Sequence, residues 1–402
     1  MSAHLPRSII RYASYPMVMA AAAWVAIAVA QGTLAPWPAL LWVAVIGVTV
    51  VALLERASPY EPAWQRDHGD LRADVVHGLV NFALLAVAGL VLHALRGVLP
   101  VATWWPHEWH GAAQLLLAGV IIDAGLYAMH RLSHHYLWAW RLHAVHHAAE
   151  RLYWLNGERR HPLSALLMAG PGLTTAVLAG APPQVVSAWL GLLSVQLAFQ
   201  HANLDYRVGP VRRWLGVAEV HRWHHKRDYE DAQVNFGEFF MIWDRLFGTF
   251  LDRPEALGAG DVGLRDEKPP ANYVGQLTWP FRQHPRHREN APAILAFARN
   301  LSEGYRSLYA GQLDQAYAAF ERAHVLGQTH TIRHACSHIA FLRWAIQARD
   351  WREAVGQLVR ISASLLFTWL WMPLGNTGGA RVGALRSMRV ADDLRPFLEN
   401  RR

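Results

Sequence analysis

The sequence predicts an all-α chain: a polytopic integral-membrane helical domain with a cytoplasmic di-metal site, followed by a C-terminal soluble α-helical hairpin domain. Three observations carry that prediction. Nearly all the long apolar runs fall between residues 12 and 204, 11 of the 23 histidines are grouped between positions 130 and 225, and beyond about residue 285 the pattern turns polar and amphipathic. Composition excludes other classes. With 53% hydrophobic and 17% charged residues and 19 Trp in 402, neither a disordered nor a fibrous chain fits. The net charge of +8 is almost wholly arginine, since Lys226 and Lys268 are the only lysines. The arginines flank apolar segments instead of gathering on one soluble face, which argues against a nucleic-acid partner. A single cysteine, Cys336, excludes an intramolecular disulfide and any cysteine-based zinc or iron–sulfur site.

A hydrocarbon core of ~30 Å takes about 20 apolar residues at ~1.5 Å per helical residue. Tyr12 to Leu54 carries no charge and is interrupted by Gly32 to Pro38, which predicts two spanning helices joined by a tight turn. Val75 to Leu95 is a third. Trp109 to His130, with Asp123 as its one formal charge, is a fourth whose end runs into histidines. His161 to Leu204 is charge-free, and breaks at Pro171 and Pro182 predict a hairpin of two shorter apolar helices, spanning or re-entrant. No small-residue cleavage site suggests a removed signal peptide.

Arg7, Arg11, Arg56, Arg66, Arg72 and the basic stretches 131–160 and 205–250 fall on one side of these spans and Arg96 alone on the other. The excess of positive charge makes the first side cytoplasmic, and His130 to His147 and His221 to His225 lie there together.

The histidines have ligand spacing. His130 and His134 stand at i and i+4 on one helical face, while His143, His146 and His147 and then His221, His224 and His225 repeat an HxxHH pattern. His201 ends the apolar hairpin and His161 opens it. Imidazole suits iron, zinc, copper and nickel, and eight to ten clustered histidines exceed the four ligands of one structural zinc, so two metals are expected. His135 points off the His130–His134 face and is expected outside the cage. Asp123, seven residues before His130 on the same face, is expected to accept an imidazole N–H.

HRLSH, HAVHH and HRWHH, followed by Asn235-Phe236-Gly237 and by Trp243 to Phe250, resemble the fatty acid hydroxylase and sterol desaturase superfamily over roughly residues 70–285. The stretch from His130 to His161 is most similar to its alkylglycerol monooxygenase branch. The resemblance implies a membrane-bound non-haem di-iron oxygenase that uses two iron ions and O2 to attack a C–H bond of a lipid. It maps ligand roles onto His130, His134, His143, His146, His147, His201, His221, His224 and His225. Where some hydroxylases carry a further histidine, four residues before the isolated one, this chain has Leu197, and His161 is the candidate to fill the gap.

The only match to a dinucleotide fingerprint, Gly258 to Gly263, follows no expected strand, so electrons are expected from a separate reductase, ferredoxin or cytochrome. Arg207, Arg212, Arg213, Arg222 and Arg227 could dock that donor or lipid headgroups, although topology alone accounts for them. Desaturation of a lipid or sterol by the same cofactor, and a non-enzymatic membrane metal-binding scaffold, are the alternative functions. Zinc is able to replace iron on purification.

The expected boundary divides a membrane domain at residues 1–285 from a C-terminal domain at 286–402, with 280–290 as linker. Ala310 to Ala316 and Ala348 to Ala354 recur at an offset of 38, each opening a helix, as in paired tetratricopeptide-like hairpins. Glu321-Arg-Ala-His324, Gly356-Gln357 and Pro373 to Gly379 resemble a small bacterial family of unknown function. His330, His334 and His338 form a ladder at i, i+4 and i+8, and with Glu321 and His324 they make a candidate second metal site. Glu303 and Glu353 are the further carboxylates within reach of that pattern. Residues 361–374 are too short to span and are expected in an interface or a bundle.

Overall fold

The computed structural model of the chain describes residues 7–99, 104–265, 267–282 and 291–399. Two compact units divide it, residues 1–282 and 283–402; most of the linker expected at 280–290 lies outside the described residues. Among the described residues no strand forms, and only three isolated antiparallel bridges occur.

The first unit opens with α1 (Arg7–Ala30) and α2 (Pro36–Ala57), turned on Gly32 at φ +76°, where a left-handed backbone favours glycine. Then come α3 (Leu71–Val98), α4 (Gly111–His135) and the short α5 (Leu137–His147). A hairpin of α6 (Pro162–Ala179) and α7 (Pro183–His201) follows, and the short α8 (Ala218–His224), α9 (Ile242–Phe247) and α10 (Tyr273–Thr278) complete the unit. Five helices, α1 to α4 and α6, are long and apolar enough to cross a membrane. The chain is therefore an integral membrane protein, because only lipid can cover what they expose: 11% of the apolar windows of α2 and α3 is buried, against 44% in α4 and 50% in α6. Thus α2 and α3 face lipid with residues such as Ile46, Leu53, Phe82 and Leu90, and α4, α6 and α7 make the interior.

One sequence expectation is corrected here. Pro171 does not break the hairpin; it lies inside α6, and the turn falls at Gly180 to Pro182, with Gly180 at φ +100°. The reason is a close crossing. A Cβ placed on Gly125 of α4 would meet the backbone of Gly172 at 2.5 Å, so glycine opposite glycine lets the two helices touch through their backbones. The hydroxyl of Thr175 bonds the Pro171 carbonyl at 2.8 Å in the same turn.

The span α3 carries a polar stripe. Asp74, His77 and Asn81, at i, i+3 and i+7, are all buried, and they hold the segment that joins α5 to α6. Tyr153 and Asn156 donate to Asp74 at 2.7 and 3.2 Å, His77 Nδ1 lies 2.9 Å from the Arg160 carbonyl, and Asn81 donates to the carbonyls of Glu158 and Arg160. Glu55, near the end of α2, accepts from the backbone N–H groups of Trp154 and Asn203 at 3.1 and 3.0 Å.

The second unit is a pair of antiparallel hairpins, α11 (Ala291–Tyr309) with α12 (Leu313–Gly327) and α13 (Thr331–Ala348) with α14 (Trp351–Phe367). Each repeated segment supplies the turn inside one hairpin, with Gly311 at φ +75° and Arg349 at φ +55°. Phe320 and Phe341, fully buried, pack the hairpins against each other. Residues 361–367 continue α14 instead of spanning.

Candidate metal centre

The end of α4 brings His130 and His134, α5 brings His143, His146 and His147, the end of α7 brings His201, and α8 with the residue after it brings His221, His224 and His225. These nine imidazoles form two groups. His130, His134, His143, His147 and His224 make one, and His146, His201, His221 and His225 the other, each with ligand atoms within 4.8 Å of one another. No member is more than 2% exposed. The groups adjoin, the rings of His147 and His225 stacking at 4.7 Å.

The nitrogens that converge are the Nε2 atoms. His147 Nε2 stands 3.1 Å from those of His134 and His143, while His201 Nε2 lies 3.1 to 3.3 Å from those of His146, His221 and His225. Ligands about 2.0 to 2.1 Å from one ion and roughly 90° to 110° apart sit about 2.8 to 3.4 Å from each other, so the spacing is that of a coordination shell.

Backbone carbonyls decide the tautomer of four of the nine rings. His130 Nδ1 bonds the Phe236 carbonyl at 2.8 Å, His224 Nδ1 that of Val234 at 2.9 Å, His146 Nδ1 that of Asn156 at 3.1 Å and His201 Nδ1 that of Leu197 at 3.0 Å. An Nδ1–H so committed leaves Nε2 a bare acceptor. His130 Nε2 and His224 Nε2 are buried with no hydrogen-bond partner among the described residues, and His146 and His201 point acceptor at acceptor across 3.3 Å. A cation between them satisfies such atoms, and the donor set fits a transition metal. Burial also holds the imidazoles of His143, His146, His147, His221, His224 and His225 well below the usual histidine range, so they stay neutral and ready to bind.

The carbonyls are placed by the loop that follows α8. Asn235, in a left-handed conformation at φ +54°, donates to the carbonyls of Val220 and Leu251 at 2.8 Å and accepts from the Leu251 N–H. Asp244 accepts from the N–H groups of Phe236 and Gly237 at 2.8 and 2.7 Å and from the Thr249 hydroxyl at 2.6 Å. Thus the Asn-Phe-Gly and Trp-Asp motifs aim acceptors at His130 and His224.

Two sequence expectations need correcting. Asp123 touches no imidazole; its carboxylate accepts from the N–H groups of Phe239 and Phe240 and from the Trp243 indole at 2.9 to 3.1 Å, and so ties the same loop to α4. His161 is absent from both groups, because its Nδ1 accepts from the Leu163 N–H to cap α6 and its Nε2 bonds the Leu277 carbonyl at 3.2 Å. Of the five arginines offered as a docking patch, Arg222 is buried with its guanidinium 3.6 Å from the Tyr60 ring, and Arg207 and Arg212 pair with Glu219 and Asp252. His135, half-buried against the Tyr136 ring, stays outside the groups as expected.

Sequence reasoning missed Glu238 and Arg160. They form a buried ion pair at 3.1 Å, and Glu238 also lies 3.5 Å from His130 Nδ1. It missed the stripe of Asp74, His77 and Asn81 as well, although polar residues at helical spacing in an apolar span are a readable signal.

In the second unit, His324, His334 and His338 form a third buried group. Glu321 and His330 do not join it. The Glu321 carboxylate bonds Thr377, and His330 is the residue before the first turn of α13.

Residues 115–249 match the profile of the family described as fatty acid hydroxylase. The ornithine lipid hydroxylase OlsE of Rhizobium tropici is 35% identical over 270 residues, which cover 61% of this chain and 78% of that protein. The chain belongs to the fatty acid hydroxylase family. Other relatives share a shorter stretch: alkylglycerol monooxygenase of Danio rerio is 30% identical over 35% of this chain and 31% of its own length, and methylsterol monooxygenase 1 of Rattus norvegicus 27% over 36% and 48%. These relatives are named as hydroxylases or monooxygenases, which places this chain in an oxidoreductase family. Residues 292–398 match a family described as a protein of unknown function, DUF3703. No solved structure matches the chain.

Proposed function

We propose that the chain is a membrane-bound non-haem di-iron oxygenase that hydroxylates a C–H bond of a membrane lipid, with its histidines and C-terminal unit on the cytoplasmic side of a bacterial inner membrane. The observation that carries this reading is the meeting of nine neutral imidazoles in two adjacent buried groups within a chain of this family. His130, His134, His143, His147 and His224 would hold one iron, and His146, His201, His221 and His225 the other. When bound, the two irons supply the redox chemistry by which one atom of O2 enters the C–H bond while the other leaves as water.

The chain's own residues do the rest. Carbonyls of Leu197, Val234, Phe236 and Asn156 hold a proton on Nδ1 of their partner rings and turn each Nε2 toward the metal. Glu238, held by its ion pair with Arg160, places a carboxylate 3.5 Å from His130 Nδ1 and helps to orient that ring. Trp140, Phe236 and Tyr229 close over His134 with ring centroids 4.9, 5.1 and 6.1 Å away, which keeps water from the oxidant. Two electrons and two protons per turnover come from outside, from a reductase, ferredoxin or cytochrome. The ornithine lipid hydroxylase, 78% of whose length this chain covers, makes an ornithine lipid the first substrate to try.

The test is expression in a host that makes ornithine lipids, grown under 18O2, with the lipid extract read by mass spectrometry. A lipid carrying one 18O atom, absent when His146→Ala/His224→Ala is expressed, is the expected result. A product two hydrogens lighter and unlabelled would make the chain a desaturase. Metal retained with no O2-dependent product would overturn the oxygenase reading in favour of a scaffold.

A further inference from the structure

We propose that the C-terminal unit is a metal-binding domain in its own right: His324, His334 and His338 hold one divalent transition-metal ion through their Nε2 atoms, with a further coordination position open to water or a small anion. The proposal is independent of lipid oxidation in the membrane unit.

The three rings come from two helices. His334 and His338 stand at i and i+4 on α13, and His324 faces them from α12. All three are at most 8% exposed, and ring centroids are 4.7 to 4.9 Å apart. The Nε2 atoms of His324 and His334 lie 3.1 Å apart, again the spacing of two ligands on one ion.

Every Nδ1 is committed on the outer side of the group. That of His324 bonds the Asn376 carbonyl at 2.8 Å, that of His334 the Thr368 hydroxyl at 2.7 Å and that of His338 the Gln357 Oε1 at 2.7 Å. The Gln357 amide cannot be reversed, because its Nε2 donates to Glu353 at 2.7 Å and to the Gly378 carbonyl at 2.9 Å. His338 and His324 are therefore Nδ1–H tautomers whose Nε2 atoms are acceptors, and the Thr368 hydroxyl, which donates as readily as it accepts, lets His334 present a bare Nε2 as well. Carboxylate, amide and imidazole in line, Glu353 to Gln357 to His338, are the kind of outer support that orients metal-bound histidines.

The residues by which the sequence resembles the family of unknown function build this site. Asn376 folds the Pro373 to Gly379 loop by donating to the carbonyls of Gly383 and Arg386 and accepting from the Gly378 N–H. Gly378, at φ +90°, lies flat on the His324 ring, where a Cβ would come within 2.6 Å. Gly356 lets Ala380 approach, and a Cβ there would meet it at 2.4 Å. Residues of this motif set from His324 to Gly379, spread over 56 positions, thus meet at His324 and His338, which a purely structural role for any one of them does not explain.

Three imidazoles suit zinc, iron, cobalt, nickel or copper and disfavour magnesium and calcium. No fourth His, Cys, Asp or Glu among the described residues joins the group, so the remaining positions belong to exogenous ligands. Three histidines with an open position are an exchangeable arrangement, unlike a closed structural zinc.

The probe is Co(II), added to the full chain in detergent after chelator stripping, with uptake counted and its visible ligand-field bands recorded. His324→Asn/His338→Asn should bind one cobalt fewer per chain than its parent, and the same deficit should appear in the His146→Ala/His224→Ala background. Added azide should perturb the bands of the missing equivalent. Gln357→Leu, which keeps all three ligands, should weaken that equivalent roughly 10- to 100-fold without changing the saturating count. Equal uptake by variant and parent in both backgrounds, or a deficit that disappears in the membrane-unit variant, would overturn the proposal.

Discussion

At the scale of single residues, the side chains that bind nothing are as informative as the histidines. Asp244 and Asn235 contact no imidazole, yet they fix the backbone whose carbonyls orient His130 and His224. Asp244→Ala would strand two buried N–H groups at a cost of roughly 2 to 5 kcal/mol, and it should loosen metal about 10- to 100-fold. Thermal unfolding in detergent and metal release to a chelator measure the two effects separately. The histidines themselves were readable from i, i+3 and i+4 spacing. Their supports were not, because the acceptors are main-chain carbonyls, which any residue supplies. Asp123 shows the limit: spacing placed it on the face of His130, but only the returning loop reveals that it accepts from Phe239, Phe240 and Trp243. His161 misled for a similar reason, since a histidine before Pro162 can equally cap a helix, and here it does.

At the scale of elements, the cage is only as well placed as the crossing of α4 and α6. Gly125→Leu would drive a side chain into the Gly172 backbone and should destabilise the protein by about 1 to 3 kcal/mol, with partial loss of metal as His130 and His134 shift. Gly89→Ala on α3, where nothing lies within 4 Å of the added methyl, should be neutral or slightly stabilising. Melting temperatures of the two variants make the comparison. The spans were legible from length and lack of charge, and all five begin or end within a few residues of their expected limits. The turn at Gly180 to Pro182 was legible too. Pro171 was misread, because a proline in an apolar helix is tolerated when a glycine crossing beside it is the governing contact, and that contact is not local in sequence.

At the scale of the whole molecule, lipid-facing α2 and α3 flank an interior of α4, α6 and α7, and the ends of α4 and α7 meet α5 and α8 at the buried imidazoles. The distribution of arginine predicts sidedness: a reporter inserted after Leu99 should be active outside the cytoplasm, and one at the C-terminus inside it. Reporter activity on the same side at both places would contradict that orientation. The central claim is that nine histidines make a two-metal cage. Metals per chain, measured by mass spectrometry on purified protein carrying His324→Asn/His338→Asn to silence the C-terminal group, test it most directly. About two transition-metal ions per chain, lost when His146→Ala/His224→Ala is added, is the predicted result. A metal-free parent, or metal that survives the added substitutions undiminished, would contradict the account.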